Sequence, residues 1–137
     1  MSVQETILIV DDDAKILKAI ELRLKSAGYN VFTASNGADA LMIAGMKKPN
    51  LIIADIWMPV GMGFSLAYRL KELPPEIPII FITASKQPGL RETAREFGAA
   101  AFLEKPYNPE TLLATISDVL KSRADAREPR PQDPSHK

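Results

Sequence analysis

Leu51-Ile52-Ile53-Ala54-Asp55-Ile56-Trp57-Met58-Pro59 is the stretch from which the fold is read. Three large apolar residues and an alanine lead into a carboxylate, and a proline four residues later bars an ordinary continuation of the strand. A strand without polar alternation is covered on both faces, as in a parallel sheet flanked by helices. Ligands of such sheets bind outside the carboxyl ends of the strands, which is where Asp55 stands.

Working outward, strand and helix patterns alternate five times. The first strand, Thr6 to Val10, is closed by Asp11-Asp12-Asp13, and Asp13 is placed to cap a helix carrying Ile16, Leu17, Ile20 and Leu24 at helical spacing up to Gly28. Tyr29 to Ala34 has the mixed look of an edge strand, followed by a helix from Ala38 to Lys48 with Ala40, Leu41, Ile43 and Ala44 inward. Beyond the Asp55 strand and the loop marked by Gly61 and Gly63, Phe64 to Leu73 makes a third helix, stopped by Pro74-Pro75. Pro78 to Thr83 is a fourth buried strand, and Pro88 is expected to open a fourth helix at a first-turn position, ended by Gly98. Ala100 to Glu104 delivers Lys105-Pro106, and a last helix starts at Asn108 or Pro109 and buries Leu112, Leu113, Ile116, Val119 and Leu120. Residues 1–121 thus read as one domain. Residues 122–137, with no apolar residue larger than alanine, read as a disordered tail or a linker. The right-handed crossover rule then sets a three-layer sandwich, a parallel sheet of order 2-1-3-4-5 with five helices, of the flavodoxin-like kind.

Composition narrows what such a domain does. Lys plus Arg and Asp plus Glu are 17 each, so no global field draws nucleic acid or a membrane surface. Cysteine is absent and the single histidine is His136, which removes thiolate chemistry, histidine general bases and histidine-bound zinc from the folded part. No signal-peptide pattern or membrane-length apolar run is visible, and the expected location is cytoplasmic.

In the 2-1-3-4-5 order, the ends of strands one, three, four and five bring together Asp11, Asp12, Asp55, Thr83 and Lys105. Three carboxylates in one hollow repel unless a cation lies among them, and a hard divalent ion, Mg²⁺ before Ca²⁺, suits oxygen ligands. Metal, lysine and threonine together suit a phosphoryl group, with one carboxylate as nucleophile.

These residues resemble the receiver domain of two-component response regulators, with the single-domain chemotaxis regulator as the familiar small example. The resemblance spans Thr6 to Leu120. It is carried by Asp11-Asp12, by Asp55, by Met58-Pro59 with Gly63, by Thr83-Ala84 and by Lys105-Pro106, in order and spacing. It implies that Asp55 accepts a phosphoryl group from a phosphohistidine of a sensor histidine kinase or phosphotransfer protein. It further implies Mg²⁺ ligation by Asp12, Asp55 and the backbone carbonyl of Trp57, with Asp11 acting largely through water. Thr83, Ala84 and Lys105 would contact the phosphoryl group, the Lys105-Pro106 peptide would be cis, and Thr83 and Phe102 would form a switch pair. The output would be a changed surface of the fourth helix, fifth strand and fifth helix, read by a downstream protein that the sequence does not identify. No external substrate would be turned over: Asp55 and Lys105 would act only on the chain's own phosphorylation and dephosphorylation.

Rival readings belong to other classes. Asp11 and Asp13 after an apolar strand also look like the nucleophile motif of haloacid dehalogenase-type phosphatases, although Ala14-Lys15 replaces the expected hydroxyl or branched residue. A nucleotide-binding fold lacks its glycine-rich loop after the first strand. A receiver-shaped adaptor that works without phosphorylation stays open. Taken singly, Asp11-Asp12-Asp13 is equally well a solvated turn with a helix cap, Asp55 has a lesser reading as a plain turn residue, and Thr83 reads as a structural hydroxyl and Phe102 as a core ring.

Overall fold

The computed structural model describes residues 4–56, 62–72 and 76–127. The order of elements is β1 (Thr6–Val10), α1 (Ala14–Ser26), β2 (Asn30–Ala34), α2 (Gly37–Lys47), β3 (Leu51–Asp55), α3 (Met62–Leu70), β4 (Ile79–Thr83), α4 (Leu90–Glu96), β5 (Ala101–Glu104) and α5 (Pro109–Arg127). All pairings are parallel and the strands run β2-β1-β3-β4-β5, as expected.

Side chains alternate across a strand, so each strand feeds two cores. On one face Leu8, Ile52 and Phe81 pack with Ala40 and Ala44 of α2, Leu66, Ala67 and Leu70 of α3, and Ala94 of α4. On the other, Ile9, Ile53 and Ile82 pack with Leu17, Ile20 and Leu24 of α1 and Leu112, Ile116 and Leu120 of α5. The central strands have no polar face because both sides are covered. Asp13 caps α1 as expected, its Oδ1 accepting from the Lys15 and Ile16 amides.

The bounds of β2, α2, β4 and β5 move by one residue from expectation, and those of α4, α3 and α5 by more. Pro88 lies in the turn before α4 rather than in its first helical turn: Gly89, at φ +88°, is the N-cap, and α4 has only seven residues. The third helix starts at Met62 and ends at Leu70, earlier at both ends than Phe64 to Leu73. The last helix does not stop at Lys121 but continues to Arg127, across the expected boundary between domain and tail. Its extra length is tied down: Arg123 donates to the Asn50 carbonyl at 2.5 Å. Asn50 is itself fixed to β1, its Oδ1 accepting from the Thr6 amide and its own amide donating to the Thr6 carbonyl. Residues 128–137 of the expected tail, and the expected stop at Pro74-Pro75, lie outside the described residues.

Candidate functional site

The twofold period of the strands explains which ends converge. Ile9, Ile53 and Leu103 all pack toward α1 and α5. Two residues beyond each are Asp11, Asp55 and Lys105, so the same face presents all three at the carboxyl edge of the sheet. Lys105 Nζ lies 3.1 Å from Asp55 Oδ2 and 3.6 Å from Asp11 Oδ2. One ammonium therefore bridges two carboxylates from two strand ends.

Asp11 is buried, and its Oδ1 accepts from the Asp13 amide at 2.9 Å. Burial pushes its pKa up to about 6; repulsion by Asp55 and a hydrogen bond between the two carboxyls push the same way, against the Asp13 amide and Lys105. Burial pulls Lys105 down, but Asp55 and Asp11 together outweigh it and hold the ammonium above its usual range. Tyr107, half-buried two residues after Lys105, completes this rim; burial raises its phenol, with Lys105 opposing and Asp11 adding to the shift. Sequence reasoning passed over Tyr107, although an aromatic on the same alternation as Lys105 was a usable signal.

The other expected site residues fall around this pair. Thr83 is fully buried at the end of β4, its Oγ1 accepting from the Ser85 amide at 3.0 Å, and Ala84 follows it into the loop. Phe102 lies beside Phe81 in register and packs partly into the core under α2, α3 and α4. Thr83 and Phe102 thus share the face turned toward α4. Lys105-Pro106 is cis. Asp12 is exposed, one residue out of step with Asp11. Trp57 lies outside the described residues.

The donor set fits a hard divalent cation. Among the described residues no three acidic side chains cluster closely enough to hold a metal ion alone. Mg²⁺ does not require that: it keeps several waters and is held by one or two carboxylates together with phosphate oxygens. Asp11 and Asp55 supply two carboxylates on one wall, with the single ammonium of Lys105 between them. The phosphatase arrangement fits less well, because Asp13, its second acid, is exposed and engaged in capping α1.

Residues 7–117 match the family model of the response regulator receiver domain. A probable transcriptional regulator, ycf27, of Porphyra purpurea is 41% identical over 122 residues, which are 89% of this chain and 49% of that protein. The phosphate regulon transcriptional regulatory protein PhoB of Pseudomonas aeruginosa is 40% identical over 121 residues, 87% of this chain and 53% of that one. The chain thus spans about half the length of these curated relatives. Among solved structures, the chemotaxis response regulator CheY4 of Vibrio cholerae superposes with a TM-score of 0.77 at 34% identity, covering 85% of this chain and 99% of that one. A CheY-like receiver domain protein from Methanospirillum hungatei gives a TM-score of 0.85 at 30% identity, covering 90% and 99%. No described helix is long and apolar enough to cross a membrane. A core on each face of a 2-1-3-4-5 sheet, a lysine-bridged pair of aspartates at its carboxyl edge and a family match over residues 7–117 lead to one conclusion: the chain belongs to the response regulator receiver domains of two-component signalling.

Proposed function

We propose that Asp55 is the phosphoryl acceptor of a phosphorelay and that the donor is a phosphohistidine of a sensor histidine kinase or phosphotransfer protein. The observation that carries this reading is the bridge from Lys105 Nζ to Asp55 Oδ2 at 3.1 Å and Asp11 Oδ2 at 3.6 Å. It leaves one carboxylate, partly exposed at the sheet edge, held beside a cation able to receive charge.

An Asp55 oxygen attacks phosphorus in line as the bond from phosphorus to the donor imidazole nitrogen breaks; the electron pair and a proton end on the imidazole. Little covalent work falls to the protein, so catalysis is positioning and charge stabilisation. Lys105 shifts its hydrogen bonding from the Asp55 carboxylate to the new phosphoryl oxygens. Asp11, Asp12, Asp55 and the Trp57 carbonyl would hold Mg²⁺, which when bound neutralises phosphoryl oxygens during transfer. Asp12, next to Asp11 in the same turn, is exposed and would join that set from the solvent side.

Phosphorylation adds about −1.5 to −2 of charge beside Lys105. Thr83 turns its hydroxyl toward that charge, the Ala84 amide donates to it, and the space released on the α4 face is open to the Phe102 ring. The outcome is a shift between two packings of α4, β5 and α5, and a downstream protein that prefers one of them reads the signal. No nucleic acid or membrane contact within this chain is part of the proposal, and its setting is the cytoplasm. The chain turns over no substrate besides its own aspartate.

Labelled acetyl phosphate with Mg²⁺ is expected to give an acid-stable, alkali-labile acyl phosphate, and chelation by EDTA is expected to remove essentially all labelling. Equal labelling with and without EDTA contradicts the proposed metal role.

A further inference from the structure

Glu104, the last residue of β5, stands one place before Lys105 and is held by cations from two other segments. Lys86 Nζ, in the loop after β4, lies 3.3 Å from Glu104 Oε2, and Arg91 Nη2, at the start of α4, lies 3.5 Å from Oε1. Lys86 Nζ also donates to the backbone carbonyl of Lys105 at 3.4 Å. The Arg91 guanidinium lies over the Phe102 ring, 4.8 Å from its centroid. One carboxylate therefore connects the loop that leaves Thr83, the strand end that carries Lys105, and the ring of Phe102.

Strand register makes this connection directional. Thr83 pairs with Glu104 and Phe81 with Phe102, so Thr83, Phe102 and Glu104 all face α4. A cavity of about 190 Å³ between α4 and β5 is lined by Arg91, Ala94, Ala99 and Phe102, so packing alone does not fix the ring on that side. On that side the ring is met by Arg91, and Arg91 is paired with Glu104.

These ion pairs are exposed, and in a well-anchored helix such pairs contribute little. α4 is not well anchored. It has seven residues and a glycine N-cap with no side-chain hydrogen bond, and only Leu90 and Ala94 are buried. A helix this short is marginal by itself, so a cation on an aromatic face and a shared carboxylate weigh heavily in where it sits.

We propose that Glu104 is a positioning residue of the phosphorylation switch: through Arg91 it holds the Phe102 ring in its place beside α4, and through Lys86 it restrains the backbone of Lys105. This rests on Asp55 being the phosphoryl acceptor. A ring that moves into the space left by Thr83 leaves Arg91 behind, so the Glu104 contacts exist in one packing only and oppose the other.

The test is the rate of Asp55 labelling by acetyl phosphate with Mg²⁺ in wild type, Glu104→Gln, Arg91→Ala and the double variant. Each single variant is expected to label about three to five times faster than wild type, from loss of an exposed network that favours the resting packing. The double variant is expected to be no faster than Glu104→Gln alone, because Arg91 acts on the ring only while Glu104 holds it. Wild-type rates in Glu104→Gln, or effects that multiply in the double variant, overturn the proposal. Should wild type take no label, the acceptor assignment fails by itself. The restraint is then read by amide hydrogen exchange over residues 93–97: faster exchange in Glu104→Gln sustains it and unchanged exchange overturns it.

Discussion

Lys105→Ala is expected to slow phosphorylation of Asp55 by about 10²–10³-fold, the usual loss when one preorganised donor to a developing oxyanion is removed. The effect is large because the ammonium already sits 3.1 Å from the Asp55 carboxylate and 3.6 Å from Asp11, at the place where phosphoryl charge would arrive. The same substitution leaves two carboxylates facing each other without their cation. Removing one partner of a buried ion pair typically costs about 3–5 kcal/mol; Asp55 is partly exposed and Asp11 can take up a proton, so a loss of about 2–3 kcal/mol at pH 7 is expected. Urea denaturation at two pH values checks the cause. Because Asp11 is neutral at low pH, the variant should recover most of that loss at pH 5, and an equal loss at both pH values would mean that the destabilisation is not electrostatic.

Asp11→Asn is expected to stabilise the metal-free protein and to impair its chemistry. The folded state raises the Asp11 pKa from the ordinary carboxylate value of 3.8 to about 6, chiefly by burial. Between these values the folded chain keeps a proton that the unfolded chain has released, so stability falls as pH rises from about 4 to about 6. Above pH 6 the full penalty is present, about 2 pKa steps or roughly 3 kcal/mol. Asparagine keeps an oxygen for the Asp13 amide and removes the charge, so the variant should gain about 2–3 kcal/mol at pH 7, roughly 6–12 °C in Tm, and almost nothing below pH 4. Mg²⁺-dependent phosphorylation should fall by about tenfold or more, since a carboxylate on the metal side is lost. A pH-independent gain contradicts the assignment of the strain to the Asp11 charge.

Much of this was legible in the chain because strands leave simple traces. Four apolar runs ended in Asp11, Asp55, Thr83 and Lys105, and a parallel sheet sends such ends to one edge. The alternation of Ile53 with Asp55 and of Leu103 with Lys105 was also present, and it decides that these two side chains meet. What was not legible depends on distant partners. The continuation of α5 to Arg127 is secured by Asn50, 73 positions from Arg123, which local composition does not reveal. Pro88 resembled a helix start, but the left-handed φ of Gly89 places the cap one residue later. Asp11 and Asp12 are neighbours in a run of three acids, and which of them is buried was not readable there: Asp11 is buried and Asp12 exposed. Glu104 read as the polar end of a short strand, and only its convergence with Lys86 and Arg91 distinguishes it. The expected metal contact at the Trp57 carbonyl lies outside the described residues and stays a proposal.

Mass spectrometry after incubation with acetyl phosphate and Mg²⁺, on wild type and on Asp55→Asn, tests the central claim most directly. One phosphoryl adduct on the wild-type peptide containing Asp55, and none on the variant, is the expected result. An unmodified wild type, or an adduct that persists in Asp55→Asn, contradicts it.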